Sequence, residues 1–210
     1  MTAWIGMIDD KAASPELREI FDRVRSPAGS LDNVMRIHSL RPHTMLGHYG
    51  LYKSVLHDTG NSLPGWYLEV LASYVSVLND CGYSLTNHFA NARHLIGDDG
   101  RADAIGAALK ADRPESVFEG RELAGLVYAR KLTRTPGAMR EEDVAALRRE
   151  GFSDGEILEI NQVCAYFAYA NRLLNGLGVS LKGDVIGYYA LPKEIDPEEI
   201  GVEAKEKSPR

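Results

Sequence analysis

Glu69, Cys81, Ser84 and His88 are the residues of this chain whose types and spacing could do chemistry together. Three of them lie in the stretch NDCGYSLTNH, which holds one of only two cysteines. On a helix, Ser84 and His88 both fall within roughly 60° of Cys81, so the three form one stripe. A capping Asn79 or Asp80 would put Cys81 in the first turn, where the helix dipole and free N–H groups favour a thiolate. His88 reaches Ser84 at i,i+4, so a link from His88 to Cys81 would pass through Ser84 or water. Glu69 falls on the preceding helix, which could fold back beside the site. A carboxylate there can hold the imidazole or take a proton. The competing reading makes Cys81 a small apolar residue, Glu69 a solvated one and His88 a satisfied one.

Other reactive side chains read differently. Cys164 lies in NQVCAYFAYANRLL, an apolar helix, and reads as a core thiol. Tyr83 and Asn87 adjoin the stripe, with Tyr83 read as a packing aromatic. His38, His43, His48 and His57 lack the H-E-x-x-H pattern and an accompanying acid cluster, so they read as helix-surface histidines and no metal site is expected. Tyr166, Phe167 and Tyr169 read as core or subunit-contact aromatics. The GLG at 176–178 follows a helix and reads as its C-cap, not as a phosphate loop.

The elements that must position these residues are helical nearly throughout. Ser14-Pro15-Glu16 opens a helix to about residue 24. Further helices are predicted at about 31–40, from Pro42 to about 57, from Pro64 to about 78, 81–96, 102–110, 119–133 and 140–150. Ser153 and Glu156 form an S-x-x-E capping box that starts a long helix to about 175. Alternating β-branched runs are scarce, so the expected fold class is all-α. Leu68-Glu69-Val70 and Leu158-Glu159-Ile160 lie 90 positions apart and each opens a long helical stretch, which suggests two similar halves with the chemistry in the first. On that offset Cys81 falls on Asn171 and His88 on Gly178. Residues 1–190 are expected to form one helical domain and residues 191–210, rich in charge, an extended or disordered tail.

The chain as a whole excludes several classes. It has 210 residues, net charge −6 and a pI near 5.5, with no basic run, so a nucleic-acid partner is not expected. No apolar stretch is long enough to span a bilayer, and no export signal opens the sequence, so no membrane association is expected. A cytoplasmic location with reduced cysteines is expected.

Glu69, Cys81, Ser84 and His88 match the spacing E-x11-C-x2-C-x3-H, except that Ser84 stands at the second cysteine. In this pattern the chain resembles the AhpD-like alkylhydroperoxidase and carboxymuconolactone decarboxylase superfamily. MREEDVAALRREGFSDGEILEINQVCAYFAYANRLLNGLG and NVMRIHSLRPHTMLGHYGLYKSVLH resemble its peroxidase-related branch. The resemblance covers about residues 15–180. It implies a bundle of packed helices with two pseudo-repeated halves, a homo-oligomer, and no metal or organic cofactor. It also implies antioxidant peroxidase (peroxiredoxin) activity, with the cysteine pair as redox centre and the glutamate and histidine as proton relay. Ser84 departs from the pattern where the attacking cysteine would be. A hydroxyl forms neither a sulfenic acid nor a disulfide. Three readings follow. The first is a peroxidase-related oxidoreductase acting through Cys81, with Glu69 and His88 as relay, a hydroperoxide as substrate and an external thiol as reductant. The second is a cofactor-free decarboxylase-like lyase or hydrolase on a lactone-like acid, with Glu69 and His88 as acid and base. The third is a non-catalytic oligomer that keeps a relic site.

Overall fold

The computed structural model describes residues 2–189, so the tail read at 191–210 lies outside the described residues. Local sequence signals account for most helix boundaries. α1 (Pro15–Val24) starts where Ser14 Oγ accepts the Leu17 N–H, and its face Leu17, Phe21 and Val24 is buried. α2 (Asn33–Arg36) is one turn, shorter than the helix expected over 31–40. Tertiary hydrogen bonds take over there. Ser39 Oγ accepts the Ile8 N–H at 2.8 Å, and Arg36 reaches back to the Ile8 carbonyl and to Asp10. α3 (Pro42–Leu56) then begins on Pro42, which has no N–H to leave unsatisfied.

α4 (Gly65–Leu78) is the centre of the molecule. Every residue from Tyr67 to Ser76 is buried, the pattern of a helix packed on all sides. It packs most extensively on α5 (Gly82–Ile96). α6 (Asp99–Lys110), α7 (Gly120–Arg134) and the long α9 (Asp154–Leu177) also pack against it, while α8 (Glu141–Arg149) lies against α7 and α9. Tyr74, Leu68, Leu71, Leu126, Ile160 and Phe167 form the fully buried heart of this core. Truncating one of these leucines to alanine would cost on the order of 2–5 kcal/mol. The predicted capping box is present: Ser153 Oγ accepts from Glu156 N, and Ser153 N donates to Glu156 Oε2 at 2.8 Å. Gly178 ends α9 in the left-handed region, and a Cβ there would run into the Trp4 ring, so only glycine allows that contact. Among the described residues no strand forms.

The turn between α4 and α5 sets up the site. Asp80 adopts φ +52, Asp80 N donates to the Val77 carbonyl and Cys81 N to the Ser76 carbonyl at 2.8 Å. This is a Schellman closure, with the left-handed residue just past the helix. Asn175 of α9 donates its amide to the Asn79 carbonyl at 3.0 Å, and Asn79 donates to Asn171 Oδ1. The turn folds α5 back along α4, which brings Glu69 and His88 together.

Candidate active site

His88 Nδ1 lies 2.7 Å from Glu69 Oε2, and Asn91 Nδ2 donates to the other carboxylate oxygen at 3.1 Å. Glu69 is only 2% exposed. With Glu69 as the acceptor, the Nδ1 proton sits on His88, and Nε2 of the neutral ring is then the acceptor. Phe167 stands edge-on to the imidazole at 4.5 Å and fixes the ring from the side. This is the arrangement of an oriented base: a buried carboxylate sets the tautomer and can stabilise the imidazolium when Nε2 takes a proton.

Ser84 and His88 line a cavity with Asn87 and Asn91 from the same helix. Positions 84, 87, 88 and 91 are spaced i, i+3, i+4, i+7, so α5 turns one polar stripe inward. Aromatic side chains supply much of the remaining wall, among them Tyr49, Tyr52, Tyr166, Phe167 and Tyr188. Space open to the centres of water-sized molecules is about 70 Å³, several times the requirement of one water.

Cys81 is placed differently from the expected first-turn thiol. It is itself the N-cap of α5, and its N–H closes α4 while its carbonyl accepts Leu85 N at 3.0 Å. Its side chain is not a hydrogen-bonding cap. It is 1% exposed in an apolar cluster with Ala3, Ile37, Leu174 and Val179, and it is not among the residues lining the cavity. Among the described residues no direct hydrogen bond makes the expected link from His88 to Ser84 or from Ser84 to Cys81; the ring's Nδ1 is engaged by Glu69. The structure thus joins Glu69 and His88, sets Ser84 beside them on the cavity wall, and puts Cys81 behind that wall. Cys164 lies in the main core, where burial pushes its thiol up to about 12.

Several residues escaped the sequence reading. Asn91 completes the carboxylate's partners, and its signal was the i+3 step from His88. Tyr188 closes the cavity from the segment after α9. Its N–H donates to Asn91 Oδ1 at 2.6 Å, Gly187 N donates to Asn87 Oδ1 at 3.0 Å, and the Tyr188 ring stacks on His57 at 4.1 Å. Asp184 ties the same segment down by accepting from Asn33 N and from the Tyr83 hydroxyl. Burial raises Asp184 to about 6 despite those bonds. Tyr83 therefore holds this segment rather than only packing, and Tyr166 and Phe167 are cavity residues as well as core. His38 and His48 are buried, not on the helix surface, and are bonded to each other at 3.0 Å. Among the described residues, no group of three or more histidine, cysteine and acidic side chains is arranged to hold a metal ion, and no helix is long and apolar enough to cross a membrane.

No protein-family model and no curated protein matches the chain. Solved structures do match. An uncharacterized peroxidase-related protein from Ralstonia eutropha JMP134, an alkylhydroperoxidase AhpD core, aligns with a TM-score of 0.74 at 24% identity over 88% of this chain and 94% of its own. A peroxidase-related protein from Silicibacter sp. TM1040 aligns at 0.72 and 23% identity over 85% and 91%. The debrominase Bmp8, as a cysteine-to-alanine variant in complex with 2,3,4-tribromopyrrole, aligns at 0.69 and 18% identity over 87% and 94%. The all-α arrangement of this chain therefore has a known architecture. It is the AhpD-like fold shared by these peroxidase-related proteins.

Proposed function

We propose that this chain is a cofactor-free acid–base enzyme of the AhpD-like superfamily acting on a small, flat ligand. The observation that carries the reading is the separation of the two chemistries. His88, held by the Glu69 carboxylate, and Ser84 line the cavity, whereas the Cys81 side chain lies in an apolar cluster behind it. His88 Nε2 takes a proton from the bound ligand. The Glu69 carboxylate, held by Asn91, stabilises the imidazolium, and the Ser84 hydroxyl donates to the oxygen on which charge develops. His88 then returns the proton to a second ligand atom, as in an isomerisation or a lactone decarboxylation. The aromatic wall supports a planar ligand. So does the small aromatic ring captured by the debrominase of the same fold.

A second reading keeps Cys81 as a redox thiol with an external reductant. The description of its structural neighbours as peroxidase-related favours it. A panel of small lactones and cyclic acids, with a hydroperoxide alongside, tests both under reducing conditions. The acid–base reading expects turnover of a panel member that falls by about 10²–10⁴-fold in His88→Ala. Consumption of hydroperoxide alone, lost on blocking Cys81, would replace it with the redox reading.

A further inference from the structure

A second series of buried polar side chains starts at the same cavity and leads away from Glu69 and His88. Tyr166 of α9 lines the cavity, and its hydroxyl lies 2.8 Å from His48 Nε2. His48 Nδ1 lies 3.0 Å from His38 Nε2, and His38 Nδ1 lies 2.8 Å from Thr44 Oγ1. Thr44 sits on the exposed first turn of α3. The three aromatic members are 4%, 3% and 7% exposed from the inside outward. Neighbouring rings cross nearly at right angles, at 87° for Tyr166–His48 and 78° for His48–His38, so each ring edge aims at the next. Apolar side chains could fill these positions without the desolvation cost of buried polar groups, so packing alone does not call for this series.

The direction of the bonds follows from the outer end. Thr44 Oγ1 donates its only proton to the Arg41 carbonyl at 2.8 Å, so it accepts from His38 Nδ1–H. A neutral His38 then accepts at Nε2 from His48 Nδ1–H, and His48 accepts at Nε2 from the Tyr166 O–H. Burial favours the neutral form of both imidazoles. Burial lowers His38, and burial together with His38 lowers His48 to about 3. At rest, then, every bond donates outward from the cavity.

We propose that Tyr166, His48, His38 and Thr44 form a proton-conducting chain between the cavity and solvent. A ligand O–H or N–H gives its proton to the Tyr166 oxygen, and the Tyr166 proton moves to His48 Nε2. The Nδ1 proton of His48 passes to His38 Nε2 and that of His38 to Thr44 Oγ1, whose own proton leaves to water as the hydroxyl turns from the Arg41 carbonyl to solvent. One proton enters, one leaves, no electron moves, and both histidines end neutral in the opposite tautomer. The chain would serve a reaction whose net result releases a proton, which His88 alone would have to hold. This use rests on the acid–base reading; the resting chain does not.

Long-range proton–nitrogen NMR of the full chain with labelled histidines tests it without a substrate. Both His38 and His48 are expected as Nδ1–H tautomers, the less common form of free neutral imidazole. Thr44→Val, which keeps the shape and removes the outer hydroxyl, is expected to slow exchange of the His48 ring proton with water by about tenfold. The backbone amides of α3 and α9 should exchange as before, since local opening would move both. Thr44→Ser should restore the native ring exchange. An Nε2–H tautomer at either histidine, unchanged ring exchange in Thr44→Val, or ring and amide exchange changing together would each overturn the proposal. None of these outcomes bears on turnover by His88.

Discussion

Glu69 and Glu159 stand at the centre of the same tripeptide pattern 90 residues apart, yet the fold uses them in opposite ways. Glu69 is buried against His88 and Asn91, which line the cavity. Glu159 stays partly exposed, and its two oxygens accept Ser62 N and Leu63 N, each at 2.8 Å. It fixes the loop that leads into α4. The helices differ in the same sense. α4 stops at the Schellman turn and α5 folds back, while α9 runs unbroken through the corresponding residues. At the position matching Cys81, Asn171 is a buried linker that bonds Asn79 and Ser76. A repeated pattern thus supplies two scaffold helices. The turn at Asn79–Cys81 decides which one carries a site, because only there does a second helix return a histidine to the glutamate.

The largest expected effect lies in the two glutamates themselves. Glu69→Ala strands the His88 and Asn91 donors in a buried place and should cost on the order of 3 kcal/mol in chemical denaturation. Glu159→Ala removes a loop cap and should cost about 1 kcal/mol. Equal losses would mean that the two glutamates are equivalent supports. The second test concerns the wall. Ser84→Cys puts a thiol on the cavity surface, and a small thiol reagent should label it well before Cys81 or Cys164, as mass spectrometry of the digested protein would show. Labelling Cys81 as fast as the new thiol would place it in the cavity.

Acid should separate two other regions. His48 is held to about 3, against 6.5 when unfolded. The unfolded chain therefore binds the extra proton between those values, and this contribution to stability is lost as pH falls from about 6.5 toward 3. Asp184 acts in reverse. Its folded value of about 6 lies above 3.8, so it adds stability as pH falls through that window. Thermal unfolding between pH 4 and 6 should therefore show a steeper acid loss in Asp184→Asn and a shallower one in His48→Gln. The smallest effect belongs to the turn itself. Asp80 holds φ +52, so Asp80→Gly should stabilise by a few tenths of a kcal/mol to about 1.

The sequence made the helices legible where local signals decide them. Ser14, Pro42 and the Ser153–Glu156 box set starts that tertiary packing does not move. It failed over 31–40, where bonds from Ile8 and Arg36 compete with the helix. The site was legible as spacing, and Glu69 and His88 do meet. Two things could not be read. Cys81 lost its first-turn place because its N–H closes α4, a consequence of the backbone at Asp80 rather than of any pattern. The closing segment at 180–189 shows no periodicity, and its role comes from single hydrogen bonds to Asn33, Asn87 and Asn91. The inward stripe of Ser84, Asn87, His88 and Asn91 was readable at helical spacing, and Asn91 was its missed member.

The cavity, on this reading, works through Glu69 and His88 and not through a thiol. Turnover by the cysteine-free variant Cys81→Ala, Cys164→Ala on the substrate found in the panel tests that claim most directly. The expected rate is within about threefold of the native protein, since neither sulfur meets the cavity and small core changes leave the oriented base in place. A folded cysteine-free protein with no turnover, while His88→Ala keeps its activity, would contradict it.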